Sequence, residues 1–72
     1  MRTQIRCMVN GVEKHGEGEL SDATGYGLNV GDFCSFDFFL SKTIIKILRK
    51  DFVFYKTKAS LTLLTELIED EG

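Results

Sequence analysis

The sequence predicts an α+β domain: a small antiparallel sheet, or a partly open β-barrel, of about five strands with one C-terminal helix. Three observations predict it. From Phe33 to Lys58 the chain holds all six phenylalanines, three isoleucines and six of the nine basic residues, with apolar side chains recurring at every second position. Near the start, Asn10-Gly11 separates two runs that alternate in the same way, and from Ser60 onward leucines recur at helical spacing. The 72 residues make one domain, 1–72, of a size that buries only about 60% of the surface its unfolded chain exposes.

Taken in order, Ile5, Cys7 and Val9 alternate with Gln4, Arg6 and Met8 ahead of Asn10-Gly11. Both turn positions accept positive φ, which a two-residue hairpin requires, so a hairpin is expected over 3–20. In its second strand Glu13, His15, Glu17 and Glu19 share one face, and Val12, Lys14, Gly16, Gly18 and Leu20 the other. The acidic row around a single histidine reads as a solvent-facing polar strand rather than a metal site, and no cofactor is called for. Gly16 and Gly18 offer nothing to pack, which predicts a bulge or the close approach of another backbone.

Residues 21–32 form a glycine-rich loop, with a short strand expected at Leu28–Val30. A three-stranded antiparallel meander follows over 33–57. Cys34, Phe36, Phe38 and Leu40 face one way in its first strand, and Phe52 and Phe54 oppose Val53 and Tyr55 in the third. Between them Ile44, Ile45, Ile47 and Leu48 also fit one stripe of a short helix over 43–48, but the β-branched isoleucines and the short length favour a strand. Arg49-Lys50-Asp51 is expected to turn between the last two. The meander's second face, carrying Phe39, Ile44, Leu48 and Tyr55, is too apolar for water. A helix over 60–70, with Leu61, Leu64 and Ile68 as its stripe and Thr57 or Ser60 as its cap, is the expected cover.

The net charge of −2 conceals a pattern: residues 1–41 carry −3, residues 42–58 carry +5 and residues 59–72 carry −4. The basic band of Lys42, Lys46, Arg49, Lys50, Lys56 and Lys58 suits solvent faces paired with acidic neighbours. A pI near 5.2 argues against general nucleic-acid binding. Cys7 and Cys34 lack CxxC spacing and read as buried free thiols, with pairing across neighbouring strands open in an oxidising compartment. No apolar run reaches membrane-spanning length, and MRTQIRCMVN lacks the apolar core of a signal peptide, so a cytoplasmic protein without membrane contact is expected. The glycines of 25–31 are spaced GxGxxxG and precede an alternating strand, unlike a dinucleotide fingerprint. No phosphate loop, nucleophile elbow or triad is present, so no enzyme is expected.

Two short motifs and the chain's ending bear on function. Arg2-Thr-Gln-Ile-Arg6 resembles the RxxxR, and Glu19-Leu-Ser21-Asp-Ala-Thr-Gly25 the D/N-x-S-x-x-G, of the PilZ family of cyclic di-GMP receptors. FVFYKTKASLTLLTELIED is similar to that family's last strand and C-terminal helix. The resemblance implies a six-stranded barrel in which Arg2 and Arg6 hold guanines and phosphates of the ligand and Ser21 and Gly25 complete the site. The residues themselves favour a non-enzymatic regulatory or adaptor module. It would bind a protein partner, or a second copy as a homodimer, through a strand edge or an apolar patch around Phe39, Ile44, Leu48 and Tyr55. A cyclic dinucleotide and, more weakly, nucleic acid on the basic band are the alternative ligands.

Overall fold

In the computed structural model, which describes residues 1–40 and 43–70, the chain forms β1 (Arg2–Val9), β2 (Val12–Glu19), α1 (Asp22–Gly27), β3 (Phe33–Cys34), β4 (Thr43–Tyr55) and β5 (Lys58–Asp70). One five-stranded sheet results, in the order β2-β1-β5-β4-β3. All neighbours are antiparallel except β1 and β5, which run parallel with Arg2 beside Ser60 and Met8 beside Glu66. The Asn10-Gly11 turn forms as its chemistry predicts, with φ of 51° and 77°, and joins β1 to β2 with Arg2 opposite Glu19.

The fold is therefore not α+β with a C-terminal helix, nor a barrel: it is a mostly β, mixed sheet, and the expected helix over 60–70 is the central strand β5. Leu61, Leu63 and Thr65 are buried and Leu67 packs beside them, while Ser60, Thr62, Leu64 and Glu66 take the opposite face. The same leucines fit a helical stripe through Leu61, Leu64 and Ile68, but that stripe would leave Leu63, now fully buried, out of the core. Hydrogen-bonded neighbours on both sides decide for the strand.

The meander is also redrawn. Arg49-Lys50-Asp51 does not turn; it continues β4, with the register against β5 shifting between Ile47 and Arg49. This bulge reverses the alternation, so that Ile45 and Ile47 before it and Phe52 after it all meet the same core. The real turn is Lys56-Thr57, between the paired residues Tyr55 and Lys58, and Lys56 takes a φ of 55° there. β3 ends at Cys34, and no strand forms at Leu28–Val30.

Ile5, Cys7, Ile45, Ile47, Leu61 and Leu63 form the core on one face of the sheet. Its cover comes from loops: Leu28, Phe36, Phe38 and Phe39 pack over it, together with Met1. Gly16 and Gly18 explain how the phenylalanines reach β2. A Cβ on Gly16 would sit 2.9 Å from the Cα of Phe39, and one on Gly18 2.4 Å from the Phe38 ring. Phe39, expected on the meander's outer face, thus lies over the core face. Buried hydroxyls are bonded within the fold, Thr65 Oγ1 donating to Arg6 O at 2.9 Å and Thr3 Oγ1 to Met1 O at 3.2 Å.

Strand and helix readings of 60–70 separate on one pair of variants. Leu63→Ala is expected to lower stability in urea denaturation by about 2 to 5 kcal/mol, and Leu64→Ala by less than about 1 kcal/mol. A loss at Leu64 equal to or larger than that at Leu63 would contradict the strand.

Candidate interaction surfaces

The face of the sheet opposite the core carries no covering layer among the described residues. Alternation and register place on it Glu13, His15, Glu17 and Glu19 of β2, Arg2, Gln4, Arg6 and Met8 of β1, Ser60, Thr62, Leu64 and Glu66 of β5, and Ile44, Lys46, Arg49, Asp51, Val53 and Tyr55 of β4. Leu64 lies at its centre, with Arg6 as its neighbour on β1 and Arg49 as its neighbour on β4. Ile44 is half-buried, while Leu48 in the bulge and Tyr55 near the turn are exposed.

Arg2 and Arg6 project from this face of β1 with Gln4 between them, and both are occupied. Arg2 Nη2 lies 2.9 Å from Glu17 Oε2, and Arg6 Nη2 2.6 Å from Glu13 Oε1. These pairs are solvent-exposed, so each contributes only about 0 to 1 kcal/mol and a stronger anion can displace the glutamate. His15 Nε2 lies 3.6 Å from Glu13 Oε2, and no group of three metal-ligating side chains forms among the described residues.

Ser21 and Gly25 have structural roles in α1. Thr24 N donates to Ser21 Oγ at 3.2 Å, which caps the helix, and Gly25 is buried against Met1, whose Sδ would lie 2.7 Å from a Cβ at that position. Beside α1 a groove of about 480 Å³ is lined by Arg2, Glu19, Asp22, Tyr26, Thr57 and Lys58, among others. Arg2 alone of the four residues singled out by motif lines it. Arg6 lies four positions further along β1, roughly 13 Å away, against β2.

The basic band, continuous in sequence, is divided by the bulge. Lys46 and Arg49 lie on the open face, Arg49 bound to Asp51 at 3.0 Å and Lys46 5.9 Å from the centre of the Phe33 ring. Lys50 turns to the core side, where its ammonium donates to the carbonyls of Leu28 and, at 3.2 Å, Tyr26, and sits 4.9 Å from the centre of the Phe52 ring. Lys56 lies over Tyr55 at the turn, and Lys58 joins the groove. Lys42 lies outside the described residues.

Two features are absent from the sequence reading. One is Lys50 as a fastener between β4 and the loop after α1. The other is an aromatic ladder, Tyr26 to Phe52 at 5.3 Å and Phe52 to Phe54 at 5.8 Å between ring centres, each pair stacked within 28°. The alternation of Phe52 and Phe54 signals half of that ladder, and nothing local to Tyr26 signals the rest.

Cys7 and Cys34 are free thiols. Both lie on core-facing positions, but three inter-strand spacings separate β1 from β3, about 14 Å, too far for the disulfide that neighbouring strands would have allowed. Burial, and then the charge of Asp32, pushes the Cys34 thiol above its ordinary value. Among the described residues, no helix is long and apolar enough to cross a membrane. Comparison of the chain with protein-family models, curated proteins and solved structures gives no significant match.

Lys50→Met is expected to destabilise the fold by about 1.5 kcal/mol, since two carbonyls lose a charged donor, whereas Lys46→Met stays within about 0.5 kcal/mol; equal effects in thermal melting would deny Lys50 its fastening role. The Cys34 shift sets a pH dependence. Above the ordinary thiol value of 9.0 the unfolded chain gives up its proton first, so stability falls as pH rises toward the higher folded value. Cys34→Ser is expected to remove that part of the alkaline loss, and a Cys34→Ser variant with the same alkaline profile as the parent would count against it.

Proposed function

We propose that this chain is a small non-enzymatic interaction module, a regulatory or adaptor protein that engages a protein partner through the open face of its sheet. One observation carries the reading. That face exposes Met8 (60%), Val53 (60%) and Leu64 (41%), with Leu48 (44%) at its bulge. An apolar centre with a charged rim is the composition of a protein contact. Arg6, Lys46, Arg49 and Glu66 supply that rim beside Leu64 and Met8. We place its work in the cytoplasm, and the two free thiols support this.

The groove beside α1 favours a second reading, that of cyclic-dinucleotide sensing, because Arg2, Lys58 and an exposed tyrosine, Tyr26, meet there. A guanidinium suits both phosphate and the guanine edge. Glu19 and Asp22 line the same groove and oppose an anion, and Arg6 stands outside it. The sensor reading is therefore second.

Leu64→Glu and Met8→Glu are expected to leave the melting temperature within a few degrees of the parent, because both sites are exposed. Binding partners held by the parent as an immobilised bait are expected to be lost by both variants. Partners retained by both would sink the open-face reading. Melting with cyclic di-GMP, an oligonucleotide and zinc is expected to show no shift. A rise of roughly 10 °C with cyclic di-GMP at about 100 times its dissociation constant, lost in Arg2→Ala, would put the sensor in its place.

A further inference from the structure

The two edges of the sheet are unequal. β2 closes one side with VEKHGEGE, a strand of charges and two glycines, the composition that discourages another strand from adding to it. The other side is only partly closed. β3 pairs with Ile45 and Lys46 alone, and the loop before it bonds Ile47, Gly31 N donating to Ile47 O at 2.7 Å and Ile47 N to Asp32 O at 3.0 Å. Past the bulge, β4 runs on to Tyr55 with β5 as its one strand neighbour among the described residues.

That free edge lacks the usual protections. The chain has no proline, the register shifts fall before Arg49 rather than within the edge, and Val53, Phe54 and Tyr55 are 60%, 66% and 70% exposed. Asp51 is the single charge in Asp51-Phe-Val-Phe-Tyr55, and the rest are strong strand formers. The Lys50 ammonium, the nearest gatekeeper, is held by the carbonyls of Tyr26 and Leu28.

We propose that the edge of β4 from Lys50 to Tyr55 joins the same edge of a second copy of this chain, antiparallel about a two-fold axis at Val53, to make one continuous sheet through both copies. This rests on the interaction-module reading and adds to it a second contact, at the sheet edge rather than on the open face. The edge is self-complementary in backbone and side chain. The hairpin closes on the Tyr55–Lys58 pair, so Tyr55, Val53 and Asp51 bond toward β5 and Phe54, Phe52 and Lys50 present N–H and C=O outward. With Val53 on the axis, Phe52 of each copy falls opposite Phe54 of the other, and each such pair exchanges both backbone hydrogen bonds. The aromatic ladder of Tyr26, Phe52 and Phe54 then continues across the seam. Val53 meets its own copy as a non-hydrogen-bonded pair, where side chains approach most closely. Edge strands of this kind are paired or covered in stable proteins.

Sedimentation of the full chain from low to high micromolar concentration tests this. The parent is expected to double in mass. Phe54→Pro is expected to stay monomeric with its strand content intact, because the Phe54 N–H faces the open edge and its loss breaks no β4–β5 bond. Val53→Cys in a Cys34→Ser background gives a covalent dimer on mild oxidation, since Cα atoms about 4.5 Å apart in such a pair lie within disulfide reach, while Val12→Cys on the β2 edge gives none. This second variant decides the matter should Phe54→Pro fail to fold. A parent monomeric throughout, with no faster cross-linking at position 53 than at 12, overturns the proposal and leaves the open-face binding test untouched. A dimer lost in Leu64→Glu but kept in Phe54→Pro also overturns it, moving the contact to the open face. A monomer that binds a single-stranded oligonucleotide through Phe54 and Lys56 overturns it in favour of stacking on the exposed rings.

Discussion

Everything in this fold depends on β5 lying between β1 and β4. The strand bonds on both sides, parallel to β1 and antiparallel to β4, and through it the two hairpins become one sheet. Without that insertion the chain would hold two separate hairpins, each marginal in water. The alternation of Leu61, Leu63 and Thr65 supplies the core with its middle row, between Ile5 and Cys7 on one side and Ile45 and Ile47 on the other.

A second constraint is economy. Among its described residues the chain covers a single face of the five-stranded sheet. It does so with phenylalanines on a loop rather than with a helix. Gly16 and Gly18 are the counterpart of that choice, since β2 gives up its own side chains where Phe38 and Phe39 lie. The opposite face keeps its leucines in water, tempered by arginine–glutamate pairs along β1 and β2. The core is thus confined to one side of the sheet, and the contact surface proposed above lies on the other.

What was legible in the sequence was local. Asn10-Gly11 dictates its turn through positive φ at both positions, and the faces of β1 and β2 follow from counting by two. The C-terminal segment was illegible because Leu61, Leu63, Leu64, Leu67 and Ile68 satisfy a period of 3.6 and a period of two together. The deciding partner, β1, lies at the far end of the chain. The turn at Lys56-Thr57 gives no signal because a lysine rather than a glycine takes the left-handed conformation. The polar triplet Arg49-Lys50-Asp51 looked like a turn because a bulge, like a turn, interrupts alternation. At the candidate surfaces, the shared face of Arg2 and Arg6 was readable, as was the acidic row of β2. The groove, the Lys50 fastening and the aromatic ladder were not, since each joins α1 or its loop to a hairpin more than twenty residues later.

The parallel seam between β1 and β5 also sets an order of events. The β1–β2 and β4–β5 hairpins close over short turns and form early, but neither can finish the core until residues from opposite ends of the chain meet, Arg2 beside Ser60. Closing so long a loop is the slow, non-local step in folding. Until it happens, the apolar row of β5 and the inner side of β1 are both bare. Refolding of this chain is therefore a race between docking within one molecule and pairing between two, and its yield depends on how dilute the unfolded protein is.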